Sequence, residues 1–331
     1  MPLHDASYKH WSGTHLGIWH RRAVIAGNGL KGCLENRWMR HCVLLCWMGA
    51  LIQSVLLFAI GQLLVADSVI VQWSVNLNPA LQMFTKLLMG WLERHPEISV
   101  RTTQNLLFYF ASGWLLPLSL VAIAQAIPHL ITRDLSSNAI IVYASKAVGR
   151  FDYLLGKFAT VFGLLTITWL GPLVAAWFVG NLLAPDWHFF WHSRLALLNT
   201  LLYVLLSMVV LSLLALGISA VSPKEKTTVA VWIAWWIVGY VLAGIAKETK
   251  PWLRHLSFKH NLDDLALVLF RPADDITLAQ DNIPVLGELL RNVPPETFAA
   301  WRHPAATGSL IALALMLVAA AVILARKVKP D

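Results

Sequence analysis

The chain has 331 residues, 57% of them hydrophobic and only 13% charged, with a mean hydropathy of +0.62. An average soluble domain is about 45–50% apolar and about 25% charged, and disorder needs low hydrophobicity with high net charge. Both are excluded, which leaves a polytopic membrane protein. The net charge of +8 raises nucleic acid as a partner, a reading that turns on where the charges lie.

Residues 1–41 are mostly polar and precede the first apolar run. They predict a cytoplasmic arm, and they are too long for the charged leader of a cleavable signal peptide. His4, His10, His15 and His20 in this arm fit a solvated segment better than a metal site. Cys33, Cys42 and Cys46 form no C-x-x-C pair, so neither a disulfide framework nor zinc is expected. Cys42 and Cys46 share one helical face and read as small core residues.

Six stretches lack Asp, Glu, Lys, Arg and His over a membrane-spanning length: Cys42–Ala66, Thr102–Pro128, Phe158–Pro185, Leu195–Pro223, Thr227–Ala246 and Pro304–Ala325. In lipid each must satisfy its backbone internally, so each is predicted to be a helix. Pro117, Pro128 and Pro172 are expected to kink or end theirs. Ser68–Gly90 follows the first span with no loop and is expected to lie along the outer interface. Trp187, Phe189, Phe190 and Trp191 form an interface belt, whereas Trp232, Trp235 and Trp236 suit a helix contact. In the longest loop, Lys247–His303, short amphipathic helices are predicted over Leu262–Phe270 and Ile283–Leu290. Pro272, Pro284, Pro294 and Pro295 punctuate them.

Placing both termini inside puts 15 Lys/Arg and 6 Asp/Glu on the inner segments, against 11 and 12 on the outer ones. The whole basic excess then faces the cytoplasm, as the positive-inside rule requires. Anionic lipid accounts for it, and nucleic acid is not needed as a partner. The predicted location is a bacterial inner (plasma) membrane.

The spans contain Gln53, Gln62, Gln125, Asn181 and Asn199 but no ionisable group of the kind that binds a coupling ion. No G-x-x-x-x-G-K-[ST] occurs, so ATP hydrolysis by P-loop chemistry is not expected of this chain. Uphill transport would need an attached motor. His188 and His192 have the spacing of two metal ligands, yet they sit among interfacial aromatics, which favours the plainer reading. Asp263/Asp264 and Asp274/Asp275 are read as helix starts and solvated loop charge, because adjacent helical residues point about 100° apart. An enzyme built from the acids of outer loop 247–303 would need them to converge with His255, His260 or His303. Spacing does not show that. A channel is disfavoured by the lack of pore-lining Gly or charge.

Arg133–Lys157 stands out between the second and third spans. Asp134 suits a helix cap. Ile140, Ile141, Tyr143 and Val148 make an apolar face, and Phe151-Asp152-Tyr153 leads into the membrane. Such a segment fits either lipid-surface padding or a peg for a soluble partner. Its run Ser145-Lys146-Ala147-Val148-Gly149-Arg150-Phe151-Asp152-Tyr153-Leu154-Leu155-Gly156-Lys157 resembles the segment after the second span of type-2 ABC transporter permeases, roughly L-x-S-R-P-[IV]-S-R-x-D-Y-L-L-G-K. Arg150, Asp152, Tyr153, Leu154, Leu155, Gly156 and Lys157 match. Lys146, Ala147 and Gly149 stand for the usual Arg, Pro and Ser. The stretch ending Glu35-Asn36-Arg37-Trp38-Met39-Arg40 is similar to that family's connecting helix, and the basic Arg326-Lys327 end also fits.

The resemblance implies an all-α polytopic fold with six transmembrane helices, an N-terminal interfacial helix, a cytoplasmic coupling helix, and short helices in the long outer loop between spans 5 and 6. Residues 1–41 would be the arm and connecting helix, and 42–331 one transmembrane domain. It implies the membrane subunit of an ATP-driven exporter. No cofactor would bind this chain; ATP and Mg would sit on two copies of a separate ATP-binding subunit. A second copy of the chain is the other implied partner, with lipid and periplasmic or accessory proteins around it. Coupling to the ATPase would fall to Arg133, Asp134, Tyr143, Lys146, Val148, Gly149, Arg150, Asp152, Tyr153, Gly156 and Lys157. In that scheme Arg150, Asp152 and Lys157 orient and anchor the peg, while Asp134 and Lys146 face the partner. The weakly polar, uncharged spans point to an amphipathic or lipid-like substrate.

Overall fold

A computed structural model describes residues 17–62, 72, 90, 96–137, 139, 149–282, 301–302, 304 and 306–328. The described residues are 90% helical with no strand, and six helices are long and apolar enough to cross a membrane.

Helix α1 (Ile18–Glu35) ends at Asn36, whose extended backbone separates it from α2 (Arg37–Gln62). The Asn36 side-chain oxygen accepts from Trp38 N–H at 3.0 Å, satisfying one orphan donor of the new helix. The first span therefore begins five residues before the charge-free stretch. Expectations for Ser68–Gly90 fall outside the described residues, apart from Gln72 and Gly90.

The second span, α3 (Pro96–Ala126), runs through Pro117 without ending, contrary to one reading of that proline. Pro117 removes the amide that would bond Gly113 O; next to that carbonyl, Trp169 Nε1 of the third span donates to Ser112 O at 3.2 Å. At Pro128 the helix does stop, tightening into a 3-10 turn (Ile127–His129) before the short α4 (Thr132–Ser136).

The third span starts at Arg150, earlier than the charge-free stretch. It comprises α5 (Arg150–Leu165), a π-helical turn (Thr166–Leu170) and α6 (Gly171–Leu182) with Pro172 in its first turn. Trp47 Nε1 donates to Ile167 O at 3.1 Å inside the π turn, where the widened ladder disturbs backbone pairing.

After α7 (His188–His192), α8 (Arg194–Ser219) forms the fourth span at the centre of the bundle. Two-thirds of its apolar window is buried (67%), against 17% for α9 (Glu225–Thr249). Trp169, Tyr203, Phe108 and Met208 are fully enclosed around it. Exposed Leu44, Met48, Leu51 and Val55 on α2, and Ile237, Val241 and Ile245 on α9, leave apolar faces suited to lipid or another protein.

A 3-10 turn (Pro251–Leu256) leads to α10 (Phe258–Phe270) and α11 (Pro272–Asn282), and α12 (Thr307–Lys327) is the last span. The predicted helix at Leu262–Phe270 exists and begins one turn earlier, capped by Ser257, whose hydroxyl accepts from His260 N–H. Pro272 opens a second helix. Ile283–Leu290 lies outside the described residues. Trp232 stacks on Phe258, their ring centroids 5.4 Å apart, and Trp235 meets the same ring edge-on. These tryptophans do line a helix contact.

Candidate functional site

Three of the residues singled out from the sequence, Asp134, Tyr153 and Lys157, meet where the second span ends and the third begins. Lys157, one turn below Thr160 on α5, carries a buried ammonium. It donates to Asp134 Oδ2 at 2.7 Å, Leu130 O at 2.7 Å and His129 O at 3.3 Å. All three ammonium protons are thus used. Two of the acceptors are carbonyls at the end of the second span, where the helix leaves them unpaired and the dipole is negative.

Tyr153 O–H donates to the same Asp134 oxygen at 2.6 Å. Asp134 does not cap a helix; buried between these two donors, its carboxylate is spent inside the chain. This geometry argues against the expectation that Asp134 faces a partner.

Asp152 takes two donors from Arg22 on α1, at 2.7 and 2.6 Å. One turn further on, Gly156 faces Ile25. A Cβ at 156 would lie 2.7 Å from the Ile25 side chain, so glycine is what lets α1 lie flat on α5. Arg150 donates to Leu324 O at 2.7 Å near the end of the last span.

Gly149 is extended, and its carbonyl accepts from Tyr153 N–H at 3.0 Å, opening α5. Arg133 is exposed, and its carbonyl accepts from the Ser136 and Ser137 hydroxyls. Tyr143, Lys146 and Val148 lie outside the described residues.

Sequence reasoning missed Arg22, Ile25 and Ser219. Ser219 Oγ accepts from Ile131 and Thr132 N–H at 2.9 and 3.0 Å and donates to Ile127 O at 3.0 Å. The elbow 127–137 is thereby pinned to the third and fourth spans together. No local pattern pairs these residues, because each partner is remote in the chain.

The opposite end of the second span holds two polar clusters. Asn105 Nδ2 donates to Phe270 O at 2.6 Å and to Asp275, and its oxygen accepts from Asn199 at 3.0 Å. Burial raises the Asp275 carboxyl to about 6, against the Asn105 hydrogen bond and Arg101. Beside it, His255, His260 and Asp264 bring one potential ligand atom each to within 4.8 Å of one another.

Burial lowers His260 from the ordinary histidine value, with Asp264 pulling the other way. Asp263 points elsewhere, to Lys259 at 2.6 Å, and burial raises it despite that partner. The acidic pairs are therefore not merely solvated: Asp264 and Asp275 are both buried. As expected, the members of each pair diverge. His188 and His192 stack at 6.3 Å, and His188 Nδ1 lies 2.6 Å from Asp186.

Between α2, α3, α8 and α10 is an apolar cavity of about 640 Å³. Gln53, Trp114, Tyr203 and Asp263 are among its walls. Gln53 Nε2 finds no acceptor among the described residues.

The fold and these sites define a multi-pass helical membrane protein with six spans. Compared with known protein families, the chain matches none, and none of the curated proteins matches it.

Proposed function

We propose that this chain is the membrane subunit of an ATP-driven exporter of the type-2 ABC class, worked by two copies of a separate ATP-binding subunit. In this reading the elbow end of the bundle faces the cytoplasm of a bacterial inner membrane, with both termini on that side. The segment 138–148 receives the push of the closing ATPase.

The observation that carries the reading is the convergence of Asp134, Tyr153 and Lys157 with the Arg22–Asp152 pair. Every residue of the Arg150–Lys157 run with a polar or glycine position has a mechanical use there. A lever must be stiff at its root. The elbow bonds to the third span through Lys157 and to the fourth through Ser219, so a displacement of 138–148 is passed to both. Asp152 and Gly156 pass it also to α1, and Arg150 to the last span.

The apolar cavity supports an amphipathic or lipid-like substrate. Its volume of about 640 Å³ falls within the range of small-molecule sites, and Gln53 and Asp263 are polar groups in a mostly apolar lining. The exposed faces of α2 and α9 are of a kind that a second copy would cover.

A photocrosslinker at position 148 tests the reading. It is expected to capture a protein carrying Walker ATP-binding motifs, and position 148 is expected to be labelled only from the cytoplasm. Labelling from the cell exterior would sink the proposal.

A second reading, an enzyme using the acids of loop 247–303, gains from the approach of His255 and His260 to Asp264. Only one of the two adjacent acids joins that group. Turnover by the purified chain without any ATPase would favour it.

A further inference from the structure

The loop between the fifth and sixth spans contains a His-His-Asp constellation that the transport reading does not use. His255 is the penultimate residue of the 3-10 turn, His260 and Asp264 occupy successive turns on one face of α10, and Ser309 stands in the first turn of the last span. His260 Nε2 is 3.5 Å from Asp264 Oδ2. Zinc–nitrogen and zinc–oxygen bonds of about 2.0–2.2 Å place tetrahedral ligands about 3.4 Å apart, so this edge already has the right length. One ligand atom from each of the three residues lies within 4.8 Å of the others.

Three details leave each group a lone pair that no hydrogen bond uses. Asn261 Nδ2 donates to His255 O at 2.8 Å, so the Asn261 oxygen faces His255 Nδ1 at 2.9 Å and must accept its proton. That leaves the lone pair on His255 Nε2, the tautomer that an orienting partner imposes on metal-bound histidines. Gly308 stands beside this nitrogen, and a Cβ there would lie only 2.8 Å from it.

His260 Nε2 is sealed from solvent and has no hydrogen-bond partner among the described residues, a costly arrangement unless something binds it. Asp264, 6% exposed, accepts from the Ser309 hydroxyl at 2.6 Å. Ser309 Oγ also stands 3.4 Å from His255 Nδ1.

We infer that His255, His260 and Asp264 bind a divalent transition-metal cation of the zinc class. Two imidazoles and one carboxylate with a fourth position left open suit Zn²⁺ over the hard, all-oxygen cations. The ion would join the outer loop to the start of the last span through Asp264 and its Ser309 partner. It would also fix α10, whose other face lines the apolar cavity through Asp263 and Ala266. The inference is independent of the exporter reading, and its test uses no transport assay.

The full-length protein, purified in detergent and stripped with a chelator, is titrated with Co²⁺ as a spectroscopic stand-in for Zn²⁺. One equivalent with the visible absorption of a four-coordinate site is expected, and Zn²⁺ should displace it and raise the melting temperature. His260→Ala and Asp264→Asn should each weaken binding about a hundredfold or more, and Ser309→Ala about tenfold. Gly308→Ala, which leaves all three ligands in place, should also weaken binding by crowding His255 Nε2. It keeps the question open to test if a ligand variant fails to fold. A control with His188, His192 and the four arm histidines all changed to Ala should keep the absorption. Loss of the signal in that control overturns the inference, as does its survival in His260→Ala or the absence of any stoichiometric binding.

Discussion

Lys157 of the third span and Asp134 beyond the end of the second meet at 2.7 Å with both side chains nearly enclosed. They sit where the chain turns out of one span and back into the next. Removing one member of such a pair strands the other charge in a poorly solvated place, typically at about 3–5 kcal/mol.

Lys157→Met is therefore expected to lower stability by about that amount, read from thermal or denaturant unfolding in detergent. Adding Asp134→Asn should recover most of the loss, because the neutral amide oxygen still accepts from Tyr153. If the double variant is no better than the single one, the pair is not the source of the effect.

Gly156 offers a steric test. Gly156→Ala places a methyl 2.7 Å from the Ile25 side chain, an overpacking that costs about 1–3 kcal/mol. Gly156→Trp should lift α1 from the third span altogether, exposing 18–35 to limited proteolysis while the remaining spans stay protected. Under the exporter reading this variant and Asp152→Ala should also hydrolyse ATP without export. Normal coupling in both would count against the lever.

The pH dependence of Asp275 follows from its raised value of about 6. An unfolded aspartate titrates near 3.9, so between about 4 and 6 the folded chain binds more protons than the unfolded one, and stability falls as pH rises through that window. The melting temperature is expected to drop across this range and then level off. Asp275→Asn should remove the slope, since an amide oxygen still accepts from Asn105. A slope unchanged in the variant would assign the effect to another group.

Filling the cavity separates ligand binding from folding. Ile52→Trp adds bulk to the α2 wall of the cavity and is expected to leave the melting temperature within about 1–2 °C, since Ile52 is 55% exposed. Substrate-stimulated ATPase activity of the assembled complex should fall at least severalfold. Full stimulation would place the substrate elsewhere.

Much of the architecture was legible before any coordinates. Long charge-free runs can only be helices in lipid, and all six spans appear where those runs lie. Charge, however, was a poor guide to where spans begin. The charge-free stretch opens only at Phe158, after Asp152 and Lys157, yet the helix starts at Arg150, because both charges are paired within the protein. Asp264 and Asp275 were read as solvated for the same reason: a sequence shows a carboxylate but not the Ser309 or Asn105 that meets it.

Composition and apolar run length, by themselves, settled that this is a six-span helical membrane protein, since both act locally through the cost of unpaired backbone in hydrocarbon. Which polar groups find one another was decided by tertiary structure alone. Arg22 with Asp152, Ser219 with the elbow, and Ser309 with Asp264 are joined only once the helices pack. Contacts between distant positions leave no periodic trace in the chain.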